Sequence, residues 1–282
     1  MSVEPMHRLL RKARQNGYAV PSFCVWGAES AAVVRRAASR LKAPVIFMCG
    51  PLELTFFTPG EIAGIVRAEP CDVPAALHLD HGDSPERVHA CLEAGFTSVM
   101  LDYSLRPFAE NAAALRAVVD KARPLGVTVE GELGHVGKAA AGAFEGGGAS
   151  TLTEPGEAVD YVKATGVDAL AVSIGNAHGQ YTQLPRFDFR RLEALSEALP
   201  DLPLVLHGGS GTPEADIRQA IGLGIAKVNV ATELLMACRS SLLSQWNNGR
   251  NNWPPLAFAE AGAAMTTVVE KWIRITGAEG QA

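Results

Sequence analysis

The sequence repeats one unit eight times, a short apolar run followed by an amphipathic segment of helical length. The apolar runs are nearly continuous rather than alternating, which is typical of parallel strands buried on both faces. The predicted strands are Ala19–Val25, Val45–Cys49, Ala75–Leu79, Ser98–Leu101, Val127–Glu132, Ala169–Ile174, Leu204–Leu206 and Ala226–Val230. The predicted helices are Glu29–Leu41, Pro59–Arg67, Pro85–Ala94, Ala109–Ala122, Gly156–Thr165, Phe189–Leu199, Pro213–Ile221 and a C-terminal run from Thr232.

Glycines punctuate this repeat at the points where a helix gives way to a strand. Gly95, Gly126, Gly166 and Gly224 each follow a predicted helix and precede an apolar run, as expected of helix stops. Eight strand–helix units in a chain of 282 residues predict a (β/α)8 TIM barrel forming one domain over residues 1–282. A doubly wound open sheet is the alternative, but no Gly-x-Gly-x-x-Gly follows the first strand.

The charge balance limits the classes of partner. The net charge is −5 and the pI about 5.8, so nucleic acids and acidic membranes are disfavoured as partners. The segment from Met1 to Arg14 is polar and basic with no apolar h-region, and no apolar stretch approaches membrane-spanning length, so we expect a cytoplasmic protein. The five cysteines form no Cys-x-x-Cys pair and are expected to be reduced.

Histidines concentrate at the predicted carboxyl ends of the strands, where barrel enzymes carry their chemistry. Five of the seven histidines lie there, namely His78, His81, His135, His178 and His207. Three neutral imidazoles around one divalent ion, with a coordination position left open, are the usual layout of a catalytic zinc site. We expect His81, His178 and His207 to bind Zn²⁺, and His78 and His135 to have supporting or structural roles.

The stretch from Ala76 to Gly82 sets a geometric condition on this site. Side chains two apart share a face of a strand, so Asp80 and His81 would point to opposite faces of a regular strand. The backbone must therefore turn at Asp80 if both side chains are to serve one site.

The ends of the last two predicted strands carry a different signal. Glycine-rich His207–Thr212 and then Asn229–Thr232 each lead into a helix, and exposed amides at a helix start favour an anion. The loops after strands 7 and 8 are the common phosphate position of this fold. Tight packing of strand against helix is the alternative interpretation of the same glycines.

Taken together, these residues resemble the class II metal-dependent ketose-bisphosphate aldolases. The resemblance runs in order along nearly the whole chain, through Tyr18–Phe23, His78–Gly82, Glu130–Gly134, Ile174–Gly179, Leu204–Gly211, Lys227–Leu234 and Gly277–Gly280. It implies that His81, His178 and His207 are the zinc ligands and that Asp80 is the acid/base on the aldehyde oxygen. It further implies a homodimer or homotetramer and a monovalent cation (Na⁺ or K⁺) near the phosphate. The implied contacts to dihydroxyacetone phosphate are Gly179, Gly208, Gly209, Ser210, Asn229, Val230, Ala231 and Thr232.

The chain also departs from the family's pattern, mainly around the aldehyde half of the site. Cys24 and Gly50 stand where the family commonly has asparagine and serine, and Leu105-Arg106 replaces a histidine. In the segment from Lys138 to Ser150 the acidic residue is Glu145, which the resemblance makes the proton-abstracting base. These departures favour a ketose 1-phosphate or a sugar-acid phosphate over fructose 1,6-bisphosphate.

Three alternatives use the same barrel. A zinc hydrolase would need no phosphate site, and a metal-dependent epimerase or isomerase would keep the carbon number of its substrate constant. A non-catalytic barrel that binds sugar phosphates would not depend on Asp80.

Overall fold

The computed structural model describes residues 3–139, 150–179 and 183–282. Over these ranges eight parallel strands form a closed barrel in the order of the sequence, each hydrogen-bonded to the next and the last to the first. The strands are β1 Val20–Cys24, β2 Val45–Cys49, β3 Ala75–Gly82, β4 Ser98–Leu101, β5 Thr128–Leu133, β6 Ala169–Val172, β7 Leu204–Leu206 and β8 Ile225–Val230. The predicted (β/α)8 TIM barrel is confirmed.

Helices surround the barrel as the repeat predicts. They are α1 Met6–Asn16, α2 Ala28–Leu41, α3 Pro59–Arg67, α4 Pro85–Glu93, α5 Phe108–Ala122, α6 Pro155–Thr165, α7 Phe189–Ala198, α8 Glu214–Gly222, α9 Thr232–Asn247 and α10 Pro254–Ile275. The strands are buried along almost their whole length, which accounts for their continuous apolar sequence. In the described ranges, no helix is both long and apolar enough to cross a bilayer.

The glycines predicted to stop helices do so through left-handed backbone. Gly95, Gly126, Gly166 and Gly224 have φ angles of +79°, +67°, +72° and +107°, which a residue with a Cβ rarely adopts. The predicted element boundaries hold to within about two residues except at β3 and in the C-terminal run, which forms two helices, α9 and α10.

Helix α1 was not among the predicted elements, and it closes the amino-terminal end of the barrel. It buries Met6, Leu9, Leu10 and Ala13, whose spacing places them on one face of a helix. Several polar contacts fix this end of the chain to the start of β5, to α7 and to the segment before β7. The backbone N–H of His7 donates to Thr128 Oγ1 at 3.0 Å, and Arg14 donates to the Leu202 carbonyl and, at 3.0 Å, to Ser196 Oγ.

Candidate active site

The carboxyl end of β3 is irregular, and the irregularity brings two adjacent side chains to one site. The pairing of β3 with β4 shifts register between Leu79 and Gly82, and His81 has a φ of +46°, an unusual value for a residue other than glycine. As a result the two side chains converge, with His81 Nε2 lying 4.0 Å from Asp80 Oδ2. The turn required by the sequence is therefore present, and it falls at His81 itself. The predicted strand end at Leu79 was too early, because pairing resumes at Gly82.

Three imidazoles meet above the barrel. His81 comes from β3, while His178 and His207 follow β6 and β7. One ring nitrogen from each lies within 4.8 Å of the other two. The ring centroid of His81 lies 4.9 Å from that of His178 and 4.6 Å from that of His207. His178 and His207 are buried and His81 is nearly so.

Carboxylates hold the outer nitrogens of two of these rings. His81 Nδ1 lies 2.7 Å from Asp102 Oδ2, and His207 Nε2 lies 2.9 Å from Glu130 Oε1. The inner nitrogens, His81 Nε2 and His207 Nδ1, are buried and make no hydrogen bond to any described residue. A second carboxylate, Glu132 Oε2, lies 3.0 Å from His207 Nδ1 in a close ionic contact that lacks hydrogen-bond geometry.

This donor set fits a divalent metal ion. Metal-binding histidines usually place one nitrogen on the ion and the other on a carboxylate or carbonyl, and buried polar atoms without partners are uncommon. The electrostatic surroundings also favour a cation. Burial and the neighbouring His81 would lower the pKa of His207, but Glu130 and Glu132 raise it to about 9.

Asp80 is buried beside this cluster and is held by several donors. The side-chain amide of Asn229 donates to Asp80 Oδ1 and Oδ2 at 2.9 and 3.0 Å. His78 Nε2 lies 3.5 Å from Oδ1, and Lys227 Nζ lies 3.8 Å from it. Burial alone would raise the pKa of Asp80, but His81, His78 and Lys227 lower it well below its ordinary value. Asp80 is therefore an ionised carboxylate at neutral pH.

A buried ion pair inside the barrel supports both Asp80 and His207. Lys227 Nζ lies 2.8 Å from Glu130 Oε2, and both side chains are fully buried. Burial would raise the pKa of Glu130, but Lys227 and the contact with His207 lower it to about 2. The role of Lys227 was missed in the sequence, where it is the one charged residue of a mainly apolar strand. Its position on β8, level with Glu130 on β5, follows only from closure of the barrel.

His78 and His135 both lie outside the three-imidazole cluster. His78 Nδ1 is 2.8 Å from Ser98 Oγ, and His135 Nδ1 is 2.8 Å from Ser104 Oγ. These contacts agree with supporting or structural roles for the two side chains.

The glycines after β7 serve packing. A Cβ on Gly208 would lie 2.0 Å from the Ala177 carbonyl oxygen, and a Cβ on Gly209 would lie 2.6 Å from Val228 Cγ1. Contacts this close exclude any larger residue. Tight packing alone therefore explains why glycine stands at positions 208 and 209. The two glycines place the loop after β7 directly against the loop after β6 and the end of β8.

A cavity of about 500 Å³ lies next to these loops. It is lined by Gly179, Ser210 and Thr232 of the expected phosphate contacts, and also by Glu233 and Lys271. Thr232 begins α9, and the backbone N–H of Glu233 donates to Ser210 Oγ at 3.1 Å. Lys271, which the sequence did not single out, pairs with Glu233 at 2.6 Å. A helix start and a lysine together suit an anion.

Three other residues that were expected to contact the phosphate have different surroundings. The side chain of Asn229 binds Asp80, Val230 is fully buried, and Ala231 precedes the first turn of α9. Glu145, the expected base, lies outside the described residues.

Comparisons with known proteins agree with this arrangement along nearly the whole chain. The family model for fructose-bisphosphate aldolase class-II matches residues 4–281. D-tagatose-1,6-bisphosphate aldolase subunit GatY of Klebsiella oxytoca is 40% identical over 276 residues, which cover 97% of each chain. Among solved structures, the YdjI aldolase from Escherichia coli K12 has a TM-score of 0.86 and 32% identity, with 99% of each chain covered.

A more distant structure shares the fold. Fructose-bisphosphate aldolase from Campylobacter jejuni superposes with a TM-score of 0.84 at 21% identity, over 100% of this chain and 97% of that one. The barrel geometry is thus retained where most of the sequence has changed.

Proposed function

Because the chain belongs to the class II fructose-bisphosphate aldolase family and is therefore a carbon–carbon lyase, we propose that it cleaves a phosphorylated ketose reversibly. The products are dihydroxyacetone phosphate and an aldehyde, and the substrate is a ketose 1-phosphate or a ketose bisphosphate. The observation that carries the proposal is the position of the ionised Asp80 beside three imidazoles, each with a ring nitrogen within 4.8 Å of one from the other two.

His81, His178 and His207 are the residues that would hold the metal, which we propose is Zn²⁺. When bound, the ion would act as a Lewis acid towards the ketone oxygen of the substrate. Asp102 and Glu130 fix the ring orientations of His81 and His207. Because these bonds set which nitrogen of each ring faces inward, they decide the geometry of the site before metal or substrate arrives.

The proton steps belong to carboxylates of this chain. In cleavage, Asp80 accepts the proton of the C4 hydroxyl as the C3–C4 bond breaks, the aldehyde leaves and the bonding electron pair stays on C3. A second group then returns a proton to C3, and in condensation it removes that proton. We assign this second role to Glu145 on the family resemblance. Asn229 holds both oxygens of Asp80, which orients the acid/base without neutralising it.

The phosphate of the substrate is assigned to the cavity beside the start of α9. Gly179, Ser210 and Thr232 line it, and the backbone from Gly208 and Gly209 through Asn229, Val230 and Ala231 completes the loops around it. Lys271 adds a positive charge at its edge. A monovalent cation, Na⁺ or K⁺, is part of the proposal for this phosphate site, and a homodimer or homotetramer is the proposed assembly.

A direct experiment tests the reaction class. Zinc-loaded protein is incubated with dihydroxyacetone phosphate and a panel of aldehydes, and the products are identified by mass spectrometry. We expect a new ketose phosphate whose carbon number is the sum of the two reactants. An isomer of the starting sugar phosphate would indicate an epimerase or isomerase, and free inorganic phosphate would indicate a hydrolase. Neither alternative has support from the comparisons.

A further inference from the structure

The order of the strands around the barrel fixes where the aldehyde half of the substrate must lie. The proposed phosphate loops follow β6, β7 and β8, and in an eight-stranded barrel the opposite side of the mouth is formed by β2, β3 and β4. An extended ketose whose phosphate is bound at the first side therefore directs its far end towards the second. Asp80, at the end of β3, already lies on that far side.

Glu53 occupies this far side and is held there by two strand ends. Its Oε2 accepts a hydrogen bond from the Gly50 N–H at 2.7 Å, directly after β2. Its Oε1 lies 3.4 Å from Cys24 Sγ, the last residue of β1, which donates to it. A Cβ placed on Gly50 would lie 3.4 Å from the Asp80 carbonyl oxygen and 3.5 Å from Glu53 Oε2. The Glu53 carboxylate and the Asp80 backbone are therefore near neighbours across Gly50.

The charge of Glu53 adds to that of Asp80 on the aldehyde side of the mouth. Arg106, which follows β4, is directed elsewhere. Its guanidinium lies 4.9 Å from the ring centroid of Tyr103 and 3.7 Å from the Glu110 carboxylate. A phosphate on the aldehyde fragment would thus approach two carboxylates, whereas a hydroxyl could donate to Glu53, whose oxygens each accept more than one hydrogen bond.

We propose that Glu53 is a specificity-determining residue that selects an aldehyde carrying hydroxyl groups and no phosphate. This inference rests on the proposed aldolase function and narrows it. The substrate class becomes a ketose 1-phosphate, with its single phosphate in the cavity beside α9, and ketose bisphosphates are rejected by repulsion at the far end.

The test compares Glu53→Gln with a matched control, Glu69→Gln. Glutamine keeps the size of the side chain and an acceptor for the Gly50 N–H while removing the charge. Glu69 is exposed between α3 and β3, on the amino-terminal side of the barrel, so its replacement changes the net charge equally. For each zinc-loaded protein, kcat/KM is measured in condensation with D-glyceraldehyde and with D-glyceraldehyde 3-phosphate.

Wild type and Glu69→Gln should prefer D-glyceraldehyde. Glu53→Gln should shift the ratio towards the phosphorylated aldehyde by on the order of tenfold, as expected for one charge acting across several ångströms of partly screened space. A ratio that is the same in Glu53→Gln and Glu69→Gln would overturn the inference while leaving the aldolase function standing. Absence of condensation products from every protein would overturn both.

A binding measurement that needs no turnover gives a second readout. Thermal shift titrations with a hexitol 1-phosphate and a hexitol 1,6-bisphosphate, which have no ketone and are not cleaved, report affinity alone. We expect Glu53→Gln to gain affinity for the bisphosphate and to change little towards the monophosphate. Equal changes for both ligands would contradict a role at the far end.

Discussion

Both ends of the barrel carry polar side chains near the strand termini, but the hydrogen bonding of these side chains differs between the two ends. At the amino-terminal end, Arg14 bonds the Leu202 carbonyl and Ser196, and His7 bonds Thr128. At the carboxyl end, His81 Nε2 and His207 Nδ1 are buried and make no hydrogen bond within the part of the chain that the structure describes, although charged groups surround them. Arg14 and His7 at the first end are satisfied by other groups of the chain and serve stability, whereas the inward-facing histidine nitrogens at the second end suit a bound ion.

The largest effect in this comparison should come from His207. Replacing it with Ala removes one of three imidazoles from the carboxyl end, so we expect loss of bound zinc and of activity together. The fold should persist because the strands are held by apolar packing. Elemental analysis measures the zinc content, and circular dichroism serves as the control for folding. Full zinc occupancy in His207→Ala would show that the ligand set has been misassigned.

Asp80→Ala should separate metal binding from proton transfer. The variant should keep its zinc and still bind dihydroxyacetone phosphate, while cleavage and condensation slow by ~10²- to 10⁴-fold, which is typical of losing a general acid or base. Steady-state rates per zinc-loaded molecule measure this. If Asp80 were only a structural cap, thermal stability would fall instead and turnover per folded molecule would be largely kept.

Lys227→Met should lower the stability of the protein, because it breaks the buried ion pair inside the barrel. Without Lys227, Glu130 becomes a buried charge that has lost its closest cation, and breaking a buried pair typically costs about 3–5 kcal/mol of unfolding free energy. Urea denaturation measures the loss. The double variant Lys227→Met/Glu130→Gln should recover part of it, and no recovery would mean that Lys227 contributes through packing alone.

The smallest effect should come from the amino-terminal end. Arg14→Ala removes charge-assisted hydrogen bonds that close the barrel around α1, so the unfolding free energy should drop by about 1–3 kcal/mol. Turnover per folded molecule should not change, since the site lies at the opposite end. A fall in kcat of the folded variant would break the proposed division between the two ends.

Most of the fold could be predicted from the sequence, because the strands are buried on both faces and therefore appear as continuous apolar runs. Helix α1 was overlooked because its polar residues dominate the composition, although Met6, Leu9, Leu10 and Ala13 already have helical spacing. The histidine cluster was predictable since each member lies at the carboxyl end of a separate strand. The pairing of Lys227 with Glu130 was not, because it joins residues 97 positions apart, and such a contact requires the closed barrel.

The glycines after β7 had two possible explanations in the sequence, because both a bound ligand and a neighbouring loop can require a residue without a side chain. Sequence alone predicts that Gly208 and Gly209 permit close approach, but not whether the approaching group is a ligand or another loop. The structure places the Ala177 carbonyl and the Val228 side chain in that space.

The irregularity in β3 has a consequence for how such an enzyme can diversify. Asp80 and His81 are neighbours in the chain, so their Cα atoms stay about 3.8 Å apart whatever the rest of the barrel does. Any shift of β3 carries the proposed proton-transfer group and the proposed metal ligand together, and their spacing survives changes elsewhere. Glu53 and Cys24 lie on separate segments and are free of that coupling. On the role proposed for Glu53, a substitution there would alter which aldehyde is accepted, whereas deleting Asp80 or His81 would remove the proposed acid/base or the proposed metal ligand and displace the other.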